Sequence, residues 1–139
     1  MEERLRGSLS RLAGILLAVL TAAGWLSLMT WSAQDPSLTH AASGATRNWM
    51  GPIGAIVSDL LLQLIGLSAI FGMVIATFWS AELIMRRRLV DMRVRLIVAP
   101  AALLILAGAL ASLPSPASWP LHQGLGGMIG SLFFNILSG

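Results

Sequence analysis

Apolar side chains along this chain gather into long unbroken runs instead of alternating with polar ones. Two complete windows carry no charge: Leu12 to Gln34, between Arg11 and Asp35, and Leu60 to Ala81, between Asp59 and Glu82. A third begins at Leu96 and reads as helix to about Leu113, where Pro114, Pro116 and Pro120 stop it. Crossing a bilayer takes about 20 apolar residues, so each window predicts a transmembrane helix. Strands are not expected, because the runs lack period-two alternation and lipid offers backbone amides no partners. Started at Pro100, the third helix would rise only about 21 Å, short of a hydrocarbon core of about 30 Å. Its start is therefore placed nearer Arg93, with Pro100 early in the helix or at a kink.

Between the windows the chain carries turn chemistry. Asp35-Pro36-Ser37 stops the first run, since proline fixes φ and lacks a donor while Asp and Ser favour turns. After a small, polar stretch, Gly51-Pro52-Ile53-Gly54-Ala55 opens an apolar helix, with Pro52 suited to its first turn. Residues 53–58 either lie along the outer surface or simply extend the second span. The last segment puts Met128, Ile129, Leu132, Phe133, Ile136 and Leu137 on one face and Gly127, Ser131, Asn135 and Gly139 on another. That pattern suits an interfacial or re-entrant helix better than a full crossing.

The fold predicted is an all-α membrane protein with three transmembrane helices plus a C-terminal amphipathic or re-entrant helical segment. A cytoplasmic tail, 1–11, precedes helices over 12–34, 55–81 and 96–113. Periplasmic loops occupy 35–54 and 114–125, a cytoplasmic loop 82–95, and the amphipathic segment 126–139. Ending on Gly139 with nothing polar beyond it, the sequence reads as a piece of something longer.

Composition sharpens this picture mainly by exclusion. The chain has 139 residues, 56% hydrophobic and 11% charged; soluble domains carry about 25% charge, and disordered chains lack so much apolar side chain. All nine basic residues are arginine. Without lysine there is no P-loop and no Schiff-base chemistry. Without cysteine there are no disulfides, thiolate nucleophiles or cysteine-based zinc sites. His40 and His122 lack metal-motif spacing, and no cofactor or metal is expected.

Arginine placement orients the molecule. Arg4, Arg6 and Arg11 precede the first span, and Arg86, Arg87, Arg88, Arg93 and Arg95 lie between the second and third, leaving only Arg47 elsewhere. Eight of nine on one side makes that side cytoplasmic. Trp31, Trp49 and Trp119 then fall at outer boundaries and Trp79 at an inner one, as an aromatic belt requires, while Trp25 sits deeper and is assigned to packing. A cleaved signal peptide fits poorly: the first apolar run is long, and Trp31 stands where a small residue is wanted. The run Met85 to Arg95 could contact phosphates, but topology and contact with anionic lipid account for its charge. No direct nucleic-acid binding is expected of this segment.

Small residues recur every three or four positions at Gly14, Ala18 and Ala22, at Ala69, Gly72, Ala76 and Ser80, and at Gly108 with Ser112 or Ala111. Such faces let helix backbones approach closely, within this chain or between subunits. No span carries a charge at its centre, the usual mark of an ion path. Asp59, at the outer end of the second span, is the nearest candidate. A small transporter or channel subunit would line a polar path with Asp59, Gln63 and Asn135; an accessory subunit of a larger membrane complex would need no path.

Taken in order, four motifs resemble the N-terminal four-helix membrane region of the FtsK/SpoIIIE family of bacterial DNA translocases. They are Asp35-Pro36-Ser37, Asn48-Trp49-Met50-Gly51-Pro52-Ile53-Gly54-Ala55, Ser58-Asp59-Leu60-Leu61-Leu62-Gln63-Leu64-Ile65-Gly66, and Gly126-Gly127-Met128-Ile129-Gly130-Ser131. Members carry four transmembrane helices, a linker and a hexameric motor that pumps double-stranded DNA with ATP. The resemblance implies a noncatalytic inner-membrane anchor at the division septum, working in cell division and chromosome partition. Membrane lipid, other division proteins and further copies of the chain would be its partners. Asp35, Pro36, Ser37, Trp49, Gly51, Gly54, Asp59, Gly66, Gly126, Gly127 and Gly130 are the motif residues it singles out for interaction. The fourth helix, linker and motor are missing, so no residue here is expected to be catalytic.

Overall fold

The computed structural model describes residues 2–38, 45–85 and 91–139, with side chains from residue 7 onward. Five helices occur among the described residues: α1 (Glu2–Met29), α2 (Gly51–Ile65), α3 (Ser68–Ile84), α4 (Met92–Ala111) and α5 (Gly127–Ser138). No strand occurs among the described residues, and the architecture is all-α as the uncharged runs require. Gly7–Met29 and Met92–Ala111 are each long and apolar enough to cross a membrane, and the bent pair α2–α3 supplies a third crossing if counted as one span.

Packing runs α1 against α3 and α4 against α5, with α2 touching α1, α3, α4 and α5. The interior is built from small and hydroxylic residues. The largest side chains almost wholly sealed off are serines, Ser58 and Ser68, while Leu16, Val19, Phe78, Ile97 and Ile105 are mostly exposed. A soluble core would reverse this order. Lipid is as apolar as leucine, so burying leucine gains little there, and close backbone contact holds the helices instead. Gly14 meets Leu83 and Ile84 of α3, Gly24 meets Met73, and Gly108 meets Phe133 of α5. Ala69 and Ser80 are buried, whereas Ala22 and Ser112 face outward. Hydroxyls inside helices donate to carbonyls a turn back, Thr21 to Leu17 at 2.7 Å and Ser27 to Ala23 at 2.9 Å, leaving no polar group to solvate.

Several boundaries differ from expectation, each for a local reason. The helix expected over 12–34 begins at Glu2 and stops at Met29, because Thr30 to Asp35 are spent on a turn, closed by the Asp35 amide on the Ser32 carbonyl at 3.1 Å. The single helix expected over 55–81 is two. It starts earlier, at Gly51, breaks at Gly66, and bends there by 115° before α3 resumes at Ser68. The third helix starts at Met92, close to Arg93, and carries Pro100 inside it. In α5 the small face, Gly127 and Gly130, is buried, and Met128, Leu132 and Ile136 point away from the protein at 48%, 57% and 78% exposure.

Candidate functional site

The motif residues converge at one end of the helices, in two clusters on either end of α2. The first is a polar knot around Asp35, which is 5% exposed. Its carboxylate accepts the backbone N–H of Arg47 at 2.8 Å and of Asn48 at 2.9 Å, one on each oxygen. Charge-assisted bonds of this kind are the strong ones, and here they tie Arg47 and Asn48 to Asp35. Asn48, 4% exposed, continues the knot. Its amide nitrogen donates to the Ser27 carbonyl at 2.8 Å and the Ser58 hydroxyl at 3.4 Å, and its oxygen accepts the Met50 amide at 3.0 Å. The Gly51 amide turns back to the Asn48 carbonyl at 2.9 Å, which starts α2. Gly54 lies so close to Met50, Asn48 and Ser27 that a Cβ would overlap all three. Pro36 and Ser37 sit half-buried beside the knot.

Asp59 extends the knot along the buried side of α2. It is 9% exposed, accepting the Trp31 indole N–H at 3.3 Å and the Gln63 amide at 2.7 Å. No buried side-chain nitrogen or oxygen among the described residues lacks a partner. A satisfied network stiffens a fold, where an orphaned group would destabilise it.

The second cluster is a glycine crossover. Gly66 adopts φ 57° and ψ −140°, a conformation open essentially to glycine alone. It lets the Leu67 amide reach the Leu125 carbonyl at 2.9 Å, tying the α2–α3 break to the loop before α5. Gly66 packs against Leu125 and Gly127, Gly127 against Leu64 and Gly66, and Gly126 and Gly130 against the Ala107 carbonyl of α4. The Trp119 indole closes this loop by donating to the Gly124 carbonyl at 3.1 Å.

Of the motif residues, then, Asp35, Gly54, Asp59, Gly66, Gly126, Gly127 and Gly130 face inward, and Trp49 is 77% exposed. Asp59, the nearest candidate for an ion path, is enclosed. Asn135, grouped with Asp59 and Gln63 for a polar path, is exposed on α5. The knot is completed by Asn48 and Ser58, which open two of the motifs, by Trp31, assigned to the aromatic belt, and by Ser27, which the sequence did not single out. Asn48 had a legible signal as a turn residue ahead of a helix; the serines look like ordinary helix positions.

At the opposite end of the helices, Arg95 and Glu82 form an ion pair at 2.5 Å, joining the end of α3 to the first turns of α4. Both are about a third exposed, so the pair contributes no more than about 1 kcal/mol. Arg93 is exposed; Arg86, Arg87 and Arg88 lie outside the described residues. Two apolar grooves open on the surface. One is about 350 Å³ between α4 and α5, lined by Ile105, Gly108, Phe133 and Leu137, and the other about 190 Å³ between α3 and α4, lined by Gly72, Trp79, Leu96 and Pro100. No cluster of three metal-ligating side chains occurs among the described residues.

With this geometry in place, the comparison with known proteins is decisive. Residues 7–139 match the 4TM region of DNA translocase FtsK/SpoIIIE. The chain belongs to this family. It is 37% identical over 121 residues to the DNA translocase FtsK of Agrobacterium fabrum, covering 87% of this chain and 14% of that protein. FtsK of Bradyrhizobium diazoefficiens is 37% identical over 94% of the chain, and FtsK of Caulobacter vibrioides 33% over 93%. The chain spans only 14–16% of the length of these FtsK relatives, and the part it matches is the 4TM region, not a motor. No solved structure matches it. In FtsK/SpoIIIE terms, the knot and the crossover are part of the 4TM region.

Proposed function

We propose that this chain is a noncatalytic anchor and interaction domain that seats a DNA translocase in the inner membrane at the division septum. The observation that carries the reading is the match itself: membership in the FtsK/SpoIIIE family over residues 7–139 is confined to the 4TM region. The outward-facing apolar side chains of α1 and α4 supply a lipid-facing surface, and the absence of lysine leaves no residue for a P-loop. Positioning is then the mechanism. The helices fix depth, arginines on the cytoplasmic side fix orientation, and the knot holds the outer face in one shape for division proteins to meet. Several copies held around a DNA path would bind the septal machinery with multivalent strength.

A polar transport path is less well supported. Asp59 and Gln63 are bonded to each other and to Trp31, and both grooves are lined mainly by apolar side chains. The anchor reading is tested by tagging residues 1–139 with a fluorescent protein in dividing cells. A band at the septum, retained in membranes after alkaline carbonate extraction, is expected. Uniform envelope fluorescence would overturn the septal role, and release into the soluble fraction would overturn the anchor.

A further inference from the structure

α2 has two unlike sides. Ile53 and Val57, 77% and 42% exposed and four residues apart on the helix, form one ridge, and Trp49, just ahead of the helix, is 77% exposed as well. The opposite side, Gly54, Ala55, Ser58, Asp59 and Leu62, is buried. Asp59, the helix's one charge, thus points inward, and its outer ridge is wholly apolar. The 115° bend at Gly66 is past a right angle, so α2 runs across the end of α3 instead of prolonging it. Depth follows from the packing. Gly54 lies against the Ser27 hydroxyl, and Ser27 is within the apolar span Gly7–Met29. The first turns of α2 therefore sit level with the last turn of α1, inside the end of a crossing helix.

From these observations we infer that α2 is an in-plane helix embedded at the outer boundary of the bilayer. Its Ile53–Val57 ridge lies among the acyl chains of the outer leaflet with Trp49 at its leading end, and α3 alone makes the second crossing. The partner of the ridge is lipid, because a water-facing helix at that depth would leave two large apolar side chains uncovered where α1 is still lipid-facing. An indole at the hydrocarbon edge suits such a helix, having an apolar body and a polar N–H. α3, with 17 residues, is at the short end of what spans a bilayer. Both ends of α2 are clamped to hold this attitude, by Asn48 at its start and by Leu125 on the Leu67 amide just past its end.

The inference rests on the membrane reading, and the test separates the two. The chain has no native cysteine, so Ile53→Cys and Val57→Cys can each carry a nitroxide, with Leu16→Cys and Leu20→Cys on the exposed side of α1 as the comparison pair. The full chain is placed in nanodiscs of phosphatidylethanolamine and phosphatidylglycerol, and collision with oxygen is measured against collision with a water-soluble nickel complex. Labels at 53 and 57 are expected to favour oxygen and to lie at nearly equal, shallow depth. Labels at 16 and 20 should differ by the roughly 6 Å that four residues rise in a crossing helix. A nickel preference at 53 means water covers the ridge, and protection from both reagents means a protein or a second copy does; either overturns the inference. So does a depth step between 53 and 57 equal to that of the α1 pair. If the α1 labels also favour nickel, the membrane embedding itself has failed and the in-plane helix falls with it.

Discussion

A carboxylate with both oxygens occupied by backbone N–H groups cannot be removed without orphaning those donors. In Asp35→Ala, the amides of Arg47 and Asn48 would lose their partners in a site only 5% exposed. At about 1–3 kcal/mol for each of the two unsatisfied groups, the variant should lose about 2–6 kcal/mol of stability. Asp35→Asn keeps one acceptor and turns an NH₂ group toward the other donor, so roughly half that loss is expected. Thermal unfolding in detergent micelles, followed by helical circular dichroism, checks the order wild type, Asn, Ala; an alanine variant melting with wild type would remove the knot from the account of the fold. Ser58→Ala is a milder probe of the same network. It takes away one acceptor for the Asn48 amide, which keeps its 2.8 Å bond to Ser27, so a loss of about 1 kcal/mol is expected in the same assay.

Among the elements, the joint between α2 and α3 is the most demanding. Gly66→Ala would place a Cβ onto the Leu125 carbonyl while holding a φ of 57°. Backbone strain alone costs about 1–3 kcal/mol, and the overlap adds about as much again. Gly7→Ala is the matched control, with nothing within 4 Å of its added methyl; it should be neutral or slightly stabilising, because alanine favours the helix. Chemical unfolding of both variants in one detergent reads the difference directly. This joint also marks where sequence reasoning stopped. Apolar runs announced the spans, and the length argument at Pro100 put the start of α4 near Arg93, close to the observed Met92. Gly66 gave no such notice. A lone glycine in an apolar stretch looks like a tolerated helix residue, and the carbonyl that fixes its bend belongs to Leu125, far along the chain. The early end of α1 was hidden similarly, because Trp31 serves the distant Asp59 instead of continuing a helix. Local pattern carried the elements; contacts between remote segments decided how they bend and what the motif residues touch.

For the whole molecule, the governing fact is that small residues are inside and large apolar ones outside, which makes the bilayer part of the fold. Orientation then rests on where arginine can go, since moving a guanidinium across hydrocarbon is costly. Eight of nine arginines flank the same ends of the helices, and the Arg95–Glu82 pair joins α3 and α4 at that end. The Asp35 knot and the glycine crossover lie at the opposite end, so a single measurement of sidedness places both. Thr46→Cys and Ser118→Cys should react with a membrane-impermeant maleimide in intact spheroplasts, and Arg87→Cys only after permeabilisation. The native chain supplies no competing thiol, so labelling is read against a clean background. The reverse pattern would turn the knot toward the cytoplasm, where proteins of the outer septal face could not reach it, and the positional mechanism would fail with the fold intact. Labelling of all three before permeabilisation would mean that no fixed orientation exists, a result arginine asymmetry of this size does not allow.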